Sequence, residues 1–305
     1  MLKTKINDTK LNNHLKAIVP DGKDIFLLDN NKVRATVIGA TEMINQVRSN
    51  YELDITEAFT LGEAYLASAL LASTVKGNDR IQLNVECGGP VGGIYTEAWA
   101  SGAVRGYLKN THFGMEEKFP VDTDPIYGPG FLSISKILEG SKTPFKGQIM
   151  LQKGNLAEDL RIYFKESEQT LSLFVLDFDV DEDNRIIGVG GIFFQLLPGS
   201  DEEEIMEELE KKIKELPSLA KFISAGNAPK KFMEENFEGV NHLSHSLVGF
   251  SCPCDKKNFA IHLQSLPKKD KEDIKENGPF PLELVCLNCN SKYEFTKDEL
   301  QDLLK

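Results

Sequence analysis

Four of the five cysteines fall within the last 54 residues. They form two pairs, Cys252-Pro253-Cys254 and Cys286-Leu287-Asn288-Cys289, with 31 residues between them. Two close thiol pairs in a short segment read as a tetrahedral zinc site with four cysteine ligands. Each pair lets two sulfurs reach one ion at about 2.3 Å, and the intervening loop brings the pairs together. The expected cofactor is one Zn2+, with Cys252, Cys254, Cys286 and Cys289 as its ligands. The segment is too small to hold itself by burial alone, so metal binding would supply folding energy. The first pair departs from an ordinary zinc ribbon, because a single residue separates its cysteines. In extended chain, residues two apart lie near the upper Cα separation for a disulfide, about 6.8 Å. A Cys252–Cys254 bond would need a bent backbone, and strained disulfides are the reducible, regulatory ones. Metal-bound thiolates are already in the form that oxidants attack. Spacing alone favours a permanent structural zinc over a switch.

The other chemistry-bearing residues have blander readings. Asp177, Asp179, Asp181 and Asp183 alternate like a calcium loop, but an EF-hand needs Gly at its sixth place and Glu at its twelfth. Counted from Asp177, those places hold Glu182 and Gly188; counted from Asp179, they hold Asn184 and Gly190. A polar strand edge running into a turn fits better. The glycines of 88–93 and 188–191 lack the Lys-Ser or Lys-Thr of a phosphate loop and read as turns and close strand contacts. His242, His245 and His262 are not needed as ligands beside four cysteines and read as exposed or packing residues. Cys87 reads as a small buried hydrophobe at a strand end. No Ser/His/Asp or Cys/His arrangement stands out for nucleophilic catalysis.

The elements that must carry the thiols form an α+β chain. Its 305 residues hold 41% apolar and 27% charged side chains with a net charge of −12. That acidity argues against a protein built to hold nucleic-acid phosphates or a membrane surface. The most apolar stretch, Ala58 to Val75, contains Glu63 and is too short and polar to span a bilayer. The N-terminus lacks the apolar core of a signal peptide. The expected location is the reducing cytoplasm, where clustered cysteines mean metal or redox chemistry.

Residues 1–198 read as a mixed sheet-and-helix domain. Glu57–Lys76 reads as a buried helix stopped by Gly77, and Arg80–Cys87, Val91–Trp99, Ala103–Leu108 and Lys146–Leu151 read as strands. Leu156–Phe164 reads as a helix capped by Asn155. Leu171–Val180 and Arg185–Leu197 form a hairpin about the turn at 181–184. Residues 199–247 carry eleven acids against six lysines, net −5. Ile205, Leu209, Ile213 and Leu216 recur there at helical spacing, followed by two shorter stripes. These marginal helices need packing on something else, which makes the segment a candidate for order–disorder switching. Residues 248–305, net −1, form the small zinc domain. In it Tyr293 and Phe295 alternate outward from the second thiol pair. Thr296 caps a terminal helix with Glu299 at the capping-box position.

The sequence resembles the heat-shock protein 33 family of redox-regulated holdase chaperones. The resemblance is carried by Cys-x-Cys, a gap near thirty residues and Cys-x-x-Cys. It is also carried by Gly88-Gly89-Pro90-Val91-Gly92, by Glu97-Ala98 with Gly102-Ala103-Val104-Arg105-Gly106-Tyr107, and by Gly190-Gly191-Ile192 leading to Gln195-Leu196-Leu197-Pro198-Gly199. It runs from about Asn12 to the C-terminus. The first dozen residues and 23–31 extend the usual family start, and no function is assigned to them. The resemblance implies an ATP-independent, stress-activated chaperone without a catalytic step. It implies an idle zinc-bound reduced form. Oxidation would form Cys252–Cys254 and Cys286–Cys289 disulfides, release zinc, unfold the C-terminal domain and destabilise the linker. Unfolding client proteins and, in the oxidised form, a second copy of the chain are the implied partners.

Two other classes remain readable from the residues. A permanent zinc ribbon docking nucleic acid would predict a basic face, which residues 248–305 lack. A thiol oxidoreductase using Cys286 and Cys289 would need a thioredoxin-like βαβ context, which the sequence does not offer.

Overall fold

The computed structural model describes residues 3–114, 119, 121–199 and 202–304. After α1 (Thr9–Ala17), a hairpin of β1 (Gly22–Leu28) and β2 (Val33–Gly39) leads into α2 (Thr41–Tyr51) and α3 (Ile55–Leu71). Three antiparallel strands follow: β3 (Arg80–Cys87), β4 (Gly93–Trp99) and β5 (Ala103–Leu108). Then come α4 (Asp124–Tyr127), β6 (Gly130–Ile137), β7 (Phe145–Met150), α5 (Leu156–Glu166) and the hairpin of β8 (Ser172–Val180) and β9 (Ile186–Leu196). The charged segment supplies α6 (Glu202–Glu215), α7 (Leu219–Ser224) and α8 (Pro229–Asn236). The chain then runs through β10 (Asn241–Leu247), β11 (Gly249–Phe250), α9 (Lys256–Gln264), α10 (Lys268–Asn277), β12 (Leu282–Val285), β13 (Lys292–Phe295) and α11 (Lys297–Leu303).

Among the described residues the strands form three sheets, ordered β10-β1-β2-β9-β8, β11-β5-β4-β3-β6-β7 and β12-β13. The helix α3 lies in the main core against strands of both larger sheets, which is why all but one of its 17 residues are buried. Its start is set by a capping box between Asp54 and Glu57, two residues ahead of the expected one. Strands expected at 80–87 and 103–108 appear there; the one expected from Val91 begins at Gly93, because Gly92 bonds back to Gly89 with φ +65°. The sequence patterns assign nothing to β1, β2, α2 or β6. The reason is visible in β2, where six of seven residues are buried, so no alternation marks it as a strand.

The helices α6, α7 and α8 cover the face of the first sheet that points away from α3. Met206, Leu209, Leu219, Ile223, Phe232 and Met233 share a core with Phe26, Val33, Ala35, Val37, Ile192 and Phe194. The glycines of β9 make this approach possible: a Cβ on Gly188 would strike the Ala220 carbonyl, and one on Gly190 would sit 2.6 Å from Leu219 Cγ. Two of the four aspartates that mimic a calcium loop bind α7 and its cap. Asp177 accepts from Ser218 Oγ (2.8 Å) and Ala220 N (2.9 Å), and Asp179 accepts from Ser224 Oγ (2.7 Å).

One part of the charged segment differs from the helical reading. Residues 241–247 form β10, which extends the first sheet by pairing antiparallel with β1. The buried Asp24 on β1 explains the choice, because it receives His242 Nε2 at 2.8 Å and His245 Nδ1 at 3.1 Å. After Val248 the chain enters β11, which pairs parallel with β5 at the edge of the second sheet. Ten residues, 241–250, therefore stitch the two sheets together.

Candidate metal centre

The first thiol pair is placed by the second sheet. Gly249 N donates to Gly102 O and Ser251 N to Val104 O, each at 3.0 Å, and Cys252 follows directly. Gly102, at φ +96°, leaves the space that a Cβ would deny to Leu247 O. Asp255 then caps α9 by accepting from Asn258 N (2.7 Å) and leads the chain away. The second pair sits in the turn between β12 and β13. Cys289 N and Asn290 N both donate to Cys286 O, at 3.2 and 2.8 Å, and Asn290 takes the left-handed conformation at φ +55°.

The four Sγ atoms lie within 4.8 Å of one another. Cys252 and Cys286 are 3.8 Å apart, and Cys254 and Cys289 are 3.2 Å apart. A tetrahedron with metal–sulfur bonds of about 2.3 Å has edges of about 3.8 Å, so this donor set fits one tetrahedral ion. Cys252, Cys286 and Cys289 are buried, whereas Cys254 is partly exposed. Cys254 lines a surface cavity of about 270 Å³ with Arg105, Phe259 and His262. Mutual proximity permits more than one pairing of the sulfurs.

Hydrogen bonds from the neighbouring thiols of Cys286 and Cys289, with a smaller contribution from Arg105, push the Cys252 thiol well below its ordinary value. Acting against the same neighbour, Cys286 is pushed up. The cluster thus favours a thiolate at Cys252, the ligand form. Tyr293 turns towards the site: its hydroxyl lies 3.3 Å from Cys254 Sγ and donates to Cys254 O at 3.1 Å. Cys289 Sγ lies 3.2 Å from Ser291 Oγ. The expected capping box of Thr296 and Glu299 starts α11, and Leu300 and Leu304 are buried beside Leu263, Tyr293 and Phe295 in a small separate core.

The residues that sequence reading missed at this site come from the N-terminal domain. Arg105 Nη1 donates to Cys252 Sγ at 3.8 Å. The Tyr51 hydroxyl sits between the carbonyls of Gly106 and Leu287, and Asn290 Nδ2 donates to Asn50 O at 2.9 Å. Three of the four cysteines accordingly belong to the main core of the N-terminal domain. Arg105 was available within the Gly102–Tyr107 motif, but nothing in spacing alone tied it to a cysteine 147 residues away. His242 and His245 lie on Asp24, and His262 is exposed on α9. Cys87, at the end of β3, is half-buried rather than buried, with its thiol raised by that burial.

The model of the Hsp33 protein family matches residues 21–296. The 33 kDa chaperonin of Bacillus velezensis is 36% identical over 294 residues, spanning 95% of this chain and 97% of its own. That of Bacillus subtilis is 35% identical over 294 residues, with the same coverage. The crystal structure of the 33 kDa chaperonin (heat shock protein 33 homolog) of Thermotoga maritima matches with a TM-score of 0.81 at 30% identity, covering 94% of this chain and 98% of that one. Among the described residues no helix is long and apolar enough to cross a membrane.

Proposed function

Because the chain belongs to the Hsp33 family of chaperones, we propose that it is a redox-regulated, ATP-independent holdase whose switch is the four-cysteine centre. The observation that carries this reading is the convergence of four sulfurs within 4.8 Å on a segment whose own core is small. In the reduced form Cys252, Cys254, Cys286 and Cys289 hold one Zn2+. When bound, the ion cross-links the two thiol pairs and keeps the sulfurs as thiolates.

Oxidants such as peroxide or hypochlorite act on the centre, and peroxide gives the balance. Each pair of thiolates loses two electrons to one peroxide, which takes up two protons and leaves as two waters, while one S–S bond forms. Cys252 joins Cys254 and Cys286 joins Cys289, and the chain releases its metal. Apparent folding free energy of about 10 kcal/mol or more is lost with a structural zinc, which exceeds what a domain this small retains. The domain at 248–305 then unfolds and pulls at β11 and β10. The linker at 199–247 loses its support, and the apolar face of the first sheet under α6, α7 and α8 opens to clients of the chaperone core at 1–198.

The oxidised chain pairs with a second copy, and the protein works in the cytoplasm without catalytic turnover, nucleic acid or membrane. A paired measurement tests the reading. Zinc release is followed with a chromogenic chelator during peroxide treatment at raised temperature, and suppression of client aggregation is measured before and after. Release together with gained suppression, both reversed by reductant and zinc, is the expected result. Zinc retained, or lost without gained suppression, would return the four cysteines to a structural role.

A further inference from the structure

Glu97 is an unusual carboxylate for its position. It lies on β4, on the face of the second sheet opposite α3, and its side chain is only 2% exposed. Two guanidinium groups enclose it. Arg80 Nε stands 2.6 Å from Oε1, and Arg105 Nη2 stands 2.6 Å from Oε2. The strand register places Arg105 directly across from Glu97, and Trp99 lies beneath both arginines, 5.0 Å from the Arg105 guanidinium. One carboxylate between two guanidiniums leaves a net positive charge. The geometry directs that surplus: the remaining Nη1 of Arg105 faces Cys252 Sγ. Four thiolates around one divalent ion carry a net charge of −2, and burial of that charge is unfavourable unless donors or cations offset it.

We propose that Arg105 is a positioning residue of the metal centre, held by Glu97, which Arg80 also engages, so that its N–H···S bond fixes Cys252 and offsets part of the charge of the metal–thiolate cluster. The proposal rests on the reading of the four cysteines as a metal site. It assigns to the N-terminal sheet a direct part in retaining the metal. Because β5 also pairs with β11, the same strand holds the backbone leading into Cys252, through Ser251, and bonds its sulfur. A hydrogen bond to a metal-bound thiolate stabilises the buried negative cluster and disfavours protonation of the sulfur, which supports retention, and it lowers the sulfur's reactivity towards peroxide.

The test compares the full chain with Arg105→Met and Arg105→Lys. Zinc affinity is measured by chelator competition, the rate of peroxide-driven zinc release is followed, and the sulfur-to-cobalt charge-transfer band is recorded for Co2+ bound in place of zinc. Arg105→Met is expected to weaken zinc binding about tenfold, to speed release and to shift the band. Arg105→Lys, which keeps a charged donor, is expected to restore part of each. Should Arg105→Met fail to fold, Glu97→Gln keeps Arg105 but removes its anchor, and it is expected to shift the same three readouts in the same direction. Affinity, release rate and band all unchanged in the folded variant would overturn the proposal. A wild-type chain that takes up no zinc would overturn the metal reading as well, whereas wild-type uptake with an unaffected variant overturns this proposal alone.

Discussion

Asp177 on β8 holds the start of α7: its Oδ2 accepts the backbone N–H of Ala220 at 2.9 Å. The same oxygen accepts from Ser218 Oγ, the residue that caps the helix. A six-residue helix has little stability of its own, so this carboxylate and the apolar contacts beneath it decide whether α7 stays docked. Asp177→Ala is expected to cost about 1 kcal/mol of docking. Hydrogen exchange of 219–224 should rise about fivefold while the α3 amides stay protected. Unchanged exchange in α7 would show that the apolar contacts alone hold it.

Gly188→Val tests the opposite side of the same contact. The side chain would enter the Ala220 carbonyl, and backbone on both sides leaves no space to yield. Overpacking of this kind costs about 1–3 kcal/mol. β9 is held by ladders to β2 and β8, so α7 is the element expected to give way. The reduced variant should suppress client aggregation without oxidant, and limited proteolysis should cut 219–236 first. Wild-type inactivity in the reduced form of a folded Gly188→Val chain would separate linker docking from chaperone activity.

Metal removal should act on one part of the chain. α10 buries none of its residues and α9 only Leu263, so the C-terminal core rests on the cysteine centre and a few side chains from β13 and α11. Cys286→Ser, or a chelator applied to the wild type, should abolish protection from exchange in 256–303 while leaving α3 and β3 protected. Protection kept across 256–303 without metal would show that hydrophobic packing suffices there.

Glu63 gives the N-terminal core a pH dependence. It is buried within α3, one carboxylate oxygen has no hydrogen-bond partner, and burial raises its pKa from 4.5 to about 8. The folded state therefore favours the protonated acid. That stability is fully present below about 4.5 and is lost progressively as pH rises to about 8, at about 1.4 kcal/mol per unit at most. Glu63→Gln removes this slope. Its stability relative to wild type, from denaturant melts, should grow between pH 5 and pH 8. A constant difference across that range would show that Glu63 is ionised in the fold.

The four cysteines were legible in the sequence because a metal site is written in residue type and spacing, both of which are local. The strands at 80–87 and 103–108 and the helices of the charged segment were legible because period-two and period-3.6 patterns are local too. β10 escaped that reading: its polar sequence pairs with β1 only because Asp24 offers a buried partner to His242 and His245. β2 escaped it because burial on both faces erases alternation.

The sequence by itself determined the four clustered cysteines, the helices of the charged segment and the α+β character of the chain. The tertiary structure alone decided that the centre is built onto the N-terminal domain. Arg105, Tyr51 and Asn50 stand 147 or more residues from the cysteine loops they touch. No local periodicity encodes such a contact. It arises from the parallel pairing of β11 with β5, which carries Cys252 to the edge of a sheet completed far earlier in the chain.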